Sequence, residues 1–139
     1  MIARFIATAH DFGMKPILVI NDDNSILAEM VHVLREGNYH HIAASSANQA
    51  LTMATGYDFS LAVLDLKLPD MEGDELYEKL LKCEAHYHLP IVALVDTMDP
   101  DEVKVVNRLL PKGTVTLLSK PFKREWLEDL FARYGEKKP

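Results

Sequence analysis

Five short apolar runs recur along this 139-residue chain, and a segment with helical spacing follows each. They are Ile17-Leu-Val-Ile20, a stretch within His41-Ile-Ala-Ala-Ser45, Phe59 to Leu64, Ile91-Val-Ala-Leu-Val95, and Thr114 to Leu118. Runs without polar alternation read as strands buried on both faces. Parallel neighbours need a crossover, so strictly alternating strands and helices imply a doubly wound α/β fold, a parallel five-stranded sheet with helices on both sides.

The intervening segments carry start and stop signals. Ile26, Leu27, Met30, Val31 and Leu34 line a first helix, capped by Asp23 or Asn24 and stopped at Gly37. Ser46-Ala-Asn-Gln49 is a capping box opening a helix through about Ala54. Leu76, Leu80 and Leu81 line a third helix that must end before Pro90. Asp99-Pro-Asp-Glu102 supplies a cap, a proline at the first helical position and a first-turn acid, so a fourth helix runs to about Leu110. Trp126, Leu127, Leu130, Phe131 and Tyr134 define the last.

At this length, with 48% hydrophobic residues, one domain is expected, spanning residues 15–134 between an N-terminal extension (1–14) and a polar tail (135–139). The net charge of −6 argues against nucleic acid as a partner. Arg4, His10 and Asp11 interrupt the mildly apolar start too early for a signal peptide or a membrane span. The lone Cys83 forms no internal disulfide, so a reducing compartment, by default the cytoplasm, is expected. With only the short polar tail after the last helix, the expectation is either a receiver with no attached output domain or one cut from a longer protein.

In an open parallel sheet the carboxyl ends of the strands share one edge, where ligands bind. The first strand brings Asp22 and its neighbours to that edge, the third brings Asp65 and the fifth brings Lys120. Clustered carboxylates favour a hard divalent cation with retained waters, Mg²⁺ above all. A metal, an ammonium and a carboxylate nucleophile are the parts needed to transfer a phosphoryl group to an aspartate.

Asn21-Asp22-Asp23, Asp65-x3-Pro69-x3-Gly73 and Lys120-Pro121-Phe122, in that order on five βα units, resemble the receiver domain of two-component response regulators, CheY-like proteins with a flavodoxin-like fold. The resemblance covers residues 15–134 and implies strand order 2-1-3-4-5. It also implies that Asp65 is the phosphoacceptor, taking its phosphoryl group from a sensor histidine kinase or phosphotransfer protein. Asp22, Asp65 and the backbone carbonyl of Lys67 would hold Mg²⁺, with Asn21 reaching it through a water. Lys120 would contact the phosphoryl oxygens, and a cis Lys120–Pro121 bond is expected. Such a domain is not an enzyme in its own right, although it assists its own phosphorylation and dephosphorylation. It signals to a downstream protein partner through the surface of the fourth helix, fifth strand and fifth helix. That surface also allows a homodimer, and Phe122 and Trp126 lie where they can serve it or the core.

Three positions depart from the family pattern. Asn21 replaces one carboxylate of the acid pair, which predicts weaker Mg²⁺ binding unless Asp23 shifts to compensate. Val95 stands where the family has a switch Thr or Ser, and Thr97 replaces that hydroxyl only if the loop changes register, while Asp96 opposes an incoming phosphoryl group. Leu117 stands where the family has a switch aromatic. Chemistry is therefore expected with an altered conformational readout.

Blander readings stand beside these. Asp65 alone reads as a strand-end cap, Asp23 as a helix cap, Lys67 as a solvated side chain, and Met14, Met30, Met53 and Met71 as packing residues. His40-His41 and His86-x-His88 lack further ligands at zinc spacing. The competing functions are a degenerate receiver acting as a phosphorylation-independent interaction module, and a flavodoxin-like cofactor carrier. No glycine-rich phosphate cradle after Ile20 supports the carrier.

Overall fold

The computed structural model describes residues 14–82, 88–113 and 115–139. Strands β1 (Ile17–Ile20), β2 (His41–Ala44), β3 (Leu61–Asp65), β4 (Ile91–Val95) and β5 (Thr116–Ser119) alternate with helices α1 (Asn24–Glu36), α2 (Ala47–Ala54), α3 (Gly73–Lys82), α4 (Pro100–Leu109) and α5 (Arg124–Tyr134). The sheet order is β2-β1-β3-β4-β5, every pairing parallel. Doubly wound α/β architecture and strand order thus agree with the expectation.

Alternation along the strands sorts the core into two layers. Ile17, Val19, Leu61, Val63, Val92 and Leu94 pack against Met30 and Leu34 of α1 and Leu127 and Phe131 of α5. Leu18, Ile20, Ala62, Leu64, Ala93 and Val95 face the other way, onto α2, α3 and α4. Full burial of one such Leu or Ile contributes about 1.5–3 kcal/mol, so the central strands anchor the edge that carries the charged residues.

Local chemistry refines several boundaries. Asp23 caps α1, accepting from Ser25 N and Ile26 N at 2.9 and 3.2 Å. Gly37 closes the helix with ordinary φ, and Asn38 takes the left-handed position (φ 59°) expected of a glycine. Ser46 Oγ accepts from Gln49 N, but the Gln49 side chain accepts from Ser45 N, so the box closes one residue early. β3 begins at Leu61, two residues later than expected, although Ser60 N already donates to Pro16 O beside β1. α4 gives way to a 3-10 turn, Leu110–Lys112, since Pro111 has no N–H to continue the ladder.

β5 corrects the picture of five buried runs. It starts at Thr116, and Thr116, Leu117 and Ser119 are exposed, because an edge strand has a neighbour on one side only. Thr114, Cys83, His86 and residues 1–13, which include most of the expected extension, lie outside the described residues. No helix among the described residues is long and apolar enough to cross a membrane.

Candidate functional site

β3 carries its last residue, Asp65, into the interior at 5% exposure. The carboxylate Oδ1 accepts from the Lys120 ammonium at 2.9 Å and from Leu66 N at 3.0 Å. Burial raises the Asp65 carboxyl above the ordinary range; Lys120 and Leu66 N–H pull it back, while the Asp22 charge pushes it further up. Lys120 enters from beyond β5: its backbone N–H donates to Val95 O at 2.7 Å, and the Lys120–Pro121 peptide is cis, as expected. Burial lowers the affinity of Lys120 for its proton, yet the Asp65 hydrogen bond and charge leave it raised overall.

The spacing from Asp65 to Gly73 has a steric cause. Gly73 N donates to Leu66 O at 2.8 Å, which folds the loop back and starts α3 against the strand tip. A Cβ on Gly73 would lie 2.8 Å from Leu66 Cδ2 and 3.0 Å from Leu66 Cα, too close for any larger residue without a shift. Asp70, in the same loop, accepts from Ala47 N and Asn48 N at 3.1 and 2.8 Å, tying the loop to the start of α2. Sequence reading gave Asp70 no role, because its partners lie more than twenty residues away in the chain.

At the end of β1, Asn21 is fully buried and Asp22 exposed. Asn21 Oδ1 accepts from Asp23 N at 2.9 Å, while its Nδ2 is buried without a hydrogen-bond partner. Asp23 is committed to capping α1, so it does not replace the missing second acid.

The β4 side is built differently. Val95 is buried at 3% exposure and Leu117 is 41% exposed; together with Thr97, Val103, Val106 and Ser119 they line a hollow of about 380 Å³. Thr97 is exposed, and Lys67 reaches from the β3–α3 loop toward Asp99 and Asp101 at 3.7 and 3.6 Å. Lys67 is thus engaged rather than merely solvated. Trp126, 38% exposed with Lys123 Nζ 6.0 Å from its ring centroid, is not a core residue, whereas Phe122 packs partly buried onto the α1/α5 layer.

Glu102 was legible only as a first-turn acid of α4. The structure buries it at 6% exposure, with Oε1 accepting from Asp96 N at 3.1 Å. Burial raises its carboxyl first; Lys120 lowers it, and Asp65 and Asp99 raise it. The sequence signal was the Asp-x-x-Glu spacing, which points to the Asp99 N–H, but that donor goes to Asp96 O.

Among the described residues no three His, Cys, Asp or Glu side chains form a metal cluster. The donors at this edge are two carboxylates, Asp22 and Asp65, with a buried amide at Asn21. Such an all-oxygen, sparsely charged set fits a hard cation that keeps its waters and does not fit a structural zinc.

The family model of the response regulator receiver domain matches residues 17–132. The response regulator protein FleR of Pseudomonas aeruginosa is 29% identical over 119 residues, covering 86% of this chain and 24% of the relative. The two-component response regulator ORR21 of Oryza sativa subsp. indica is 31% identical over 128 residues, covering 91% and 18%. This chain therefore spans less than a quarter of the length of these curated relatives. The chemotaxis response regulator CheY4 of Vibrio cholerae superposes with a TM-score of 0.73 at 25% identity, over 87% of this chain and 98% of that one.

Proposed function

The chain belongs to the response regulator receiver domain family, and on that premise we propose that it accepts a phosphoryl group on Asp65 from a histidine kinase or phosphotransfer protein and passes the signal on by protein contact. Receiver domains of this kind are signalling modules rather than enzymes in the ordinary sense. The observation that carries the reading is the buried Asp65 carboxylate held at 2.9 Å by the Lys120 ammonium at the strand edge.

In the step proposed, an Asp65 oxygen attacks phosphorus and a new O–P bond forms. The bond to the donor nitrogen breaks, and the leaving imidazole keeps that electron pair and takes up a proton. Burial makes the Asp65 carboxylate more basic than an exposed one, while Lys120 keeps it ionised and oriented and balances charge on the transferred oxygens. Asp22, Asp65 and the Lys67 carbonyl would hold Mg²⁺, with Asn21 contacting a metal water. When bound, the ion supplies further positive charge to the phosphoryl oxygens.

Incubation with acetyl phosphate and Mg²⁺, read by intact mass, tests this. The expected result is a gain of one phosphoryl group that requires Mg²⁺ and is abolished in Asp65→Asn. Labelling that persists in the variant would move the acceptor away from Asp65, and no labelling of the wild type would favour the phosphorylation-independent interaction module, to which Val95 and Leu117 also point.

A further inference from the structure

The β4–α4 loop is held by an anion that the fold supplies itself. Glu102 stands three residues after the α4 cap Asp99, where a first-turn glutamate ordinarily turns back to the N–H of its own cap. Here the Asp99 N–H is taken by Asp96 O, and Glu102 reaches past the cap to the Asp96 N–H at 3.1 Å. Asp96 directly follows Val95, whose carbonyl accepts from Lys120 N at 2.7 Å. The glutamate thus holds the residue next to the one bound by the Lys120 backbone, while the Lys120 side chain holds Asp65.

The charges around it are mixed. Lys120 favours the ionised glutamate, whereas Asp65 and Asp99 repel it, and Asp96 lies beside it as a further acid facing Lys120. Lys120 bonds one buried carboxylate, Asp65 at 5% exposure, and its charge also acts on a second, Glu102 at 6%. Farther along α4, Arg108 pairs with Asp74 at 3.0 Å and with Glu72, and Lys112 pairs with Glu78, so the far end of the helix is tied to α3. The Glu102 end is the one placed to respond to charge at Asp65.

We propose that Glu102 is a positioning residue that latches the β4–α4 loop and competes with an incoming phosphoryl group for Lys120, so that loading Asp65 releases Asp96 and the first turn of α4. The inference rests on the phosphoacceptor reading above. It gives the domain a charge-driven readout that needs neither a hydroxyl at Val95 nor a ring at Leu117. Glu102→Gln separates charge from shape, because the amide oxygen still accepts from Asp96 N while the repulsion is gone.

The test follows amide hydrogen exchange by NMR in wild type, Glu102→Gln and Glu102→Ala, each with and without Mg²⁺ and beryllium fluoride, a stable mimic of aspartyl phosphate. In the free proteins the Asp96 amide is expected to be protected in wild type and Glu102→Gln, and to exchange about tenfold faster in Glu102→Ala. Beryllium fluoride should release Asp96 in wild type but not in Glu102→Gln, and should bind Glu102→Gln at least about fivefold more tightly. Equal affinity with equal release in the two proteins would overturn the latch and leave the phosphoacceptor reading intact. Binding to none of the three proteins would retire that reading together with the release step. An Asp96 amide indifferent to Glu102→Ala would overturn the latch whatever the ligand does.

Discussion

β3 and β4 are adjacent parallel strands of five residues each, buried along their whole length and paired from Ala62 with Ile91 to Asp65 with Leu94. One delivers a carboxylate to the sheet edge, the other a valine. Around the β3 tip the residues of the proposed phosphoryl chemistry stand together: Asp65, Lys120 on its Oδ1, and the Asp22 charge acting on it. Around the β4 tip a hydrophobic hollow runs from Val95 to Leu117, and the polar contact is made by Glu102 from the neighbouring helix. On the proposed reading, reaction and readout fall to separate residues of one edge, and the first can be retained while the second is rebuilt.

The largest effect should come from dismantling the β3 side. Lys120→Met leaves Asp65 buried beside Asp22 without its cation, and unpairing a fully buried charge costs about 3–5 kcal/mol. The Lys120 side chain is 22% exposed, and that access to water reduces the expected loss to about 2 kcal/mol. Urea unfolding at neutral pH should show this loss, and phosphorylation by acetyl phosphate should fall to background.

Asn21→Asp restores the second acid and sharpens the contrast from the other direction. A unit charge roughly 5 to 6 Å from a divalent cation is worth about 6 kcal/mol at an effective dielectric near 20, an upper figure. Mg²⁺ should bind at least about tenfold more tightly by titration. The metal-free variant should be less stable, because position 21 is fully buried.

Val95→Thr alters the β4 side alone. Buried at 3% exposure, the new hydroxyl replaces a methyl in an apolar wall, and an unmade hydrogen bond there costs about 1–3 kcal/mol. The free protein should unfold at lower urea, and part of the loss should return when beryllium fluoride supplies a partner. An equal loss with and without the ligand would mean that position 95 does not face the phosphoryl group.

The smallest effect is in pH dependence. Asp65 and Glu102, both raised chiefly by burial, hold protons more tightly in the folded chain than in the unfolded one. Their contribution is greatest below the ordinary carboxylate pKa and declines as pH rises through that value to the raised one. Asp70 and Asp99, lowered chiefly by the backbone N–H groups of Asn48 and Asp101, act oppositely: their stabilisation is present above the ordinary pKa and is lost as pH falls through the lowered one. Asp65→Asn removes one member of the first set, so its stability relative to wild type should increase as pH rises from the ordinary carboxylate pKa through the raised one.

The parallel doubly wound sheet, the helix caps at Asp23, Ser46 and Asp99, and the meeting of Asp65 with Lys120 were legible because each rests on local pattern or on the common edge of a parallel sheet, whereas the strand order came only with the family resemblance. Sequence reading missed what depends on distant backbone partners. Asp70 caps a helix that precedes it in the chain, and Glu102 bypasses its own cap for the Asp96 N–H. The exposure of β5 was likewise hidden, since an edge strand and a central one carry similar apolar runs. Asn21, Val95 and Leu117 were visible as departures from the family pattern, but what surrounds them needed coordinates.

The separation of reaction from readout is tested most directly by titrating the protein with Mg²⁺ and beryllium fluoride, following amide NMR shifts in wild type and Asp65→Asn. Saturable shifts that require Asp65, centred on Asp22, Asp65 and Lys120 and extending to Asp96 and the first turn of α4 with little change at Leu117, are the predicted result. Shifts of full size along β5 through Leu117, or saturation that survives Asp65→Asn, would contradict it.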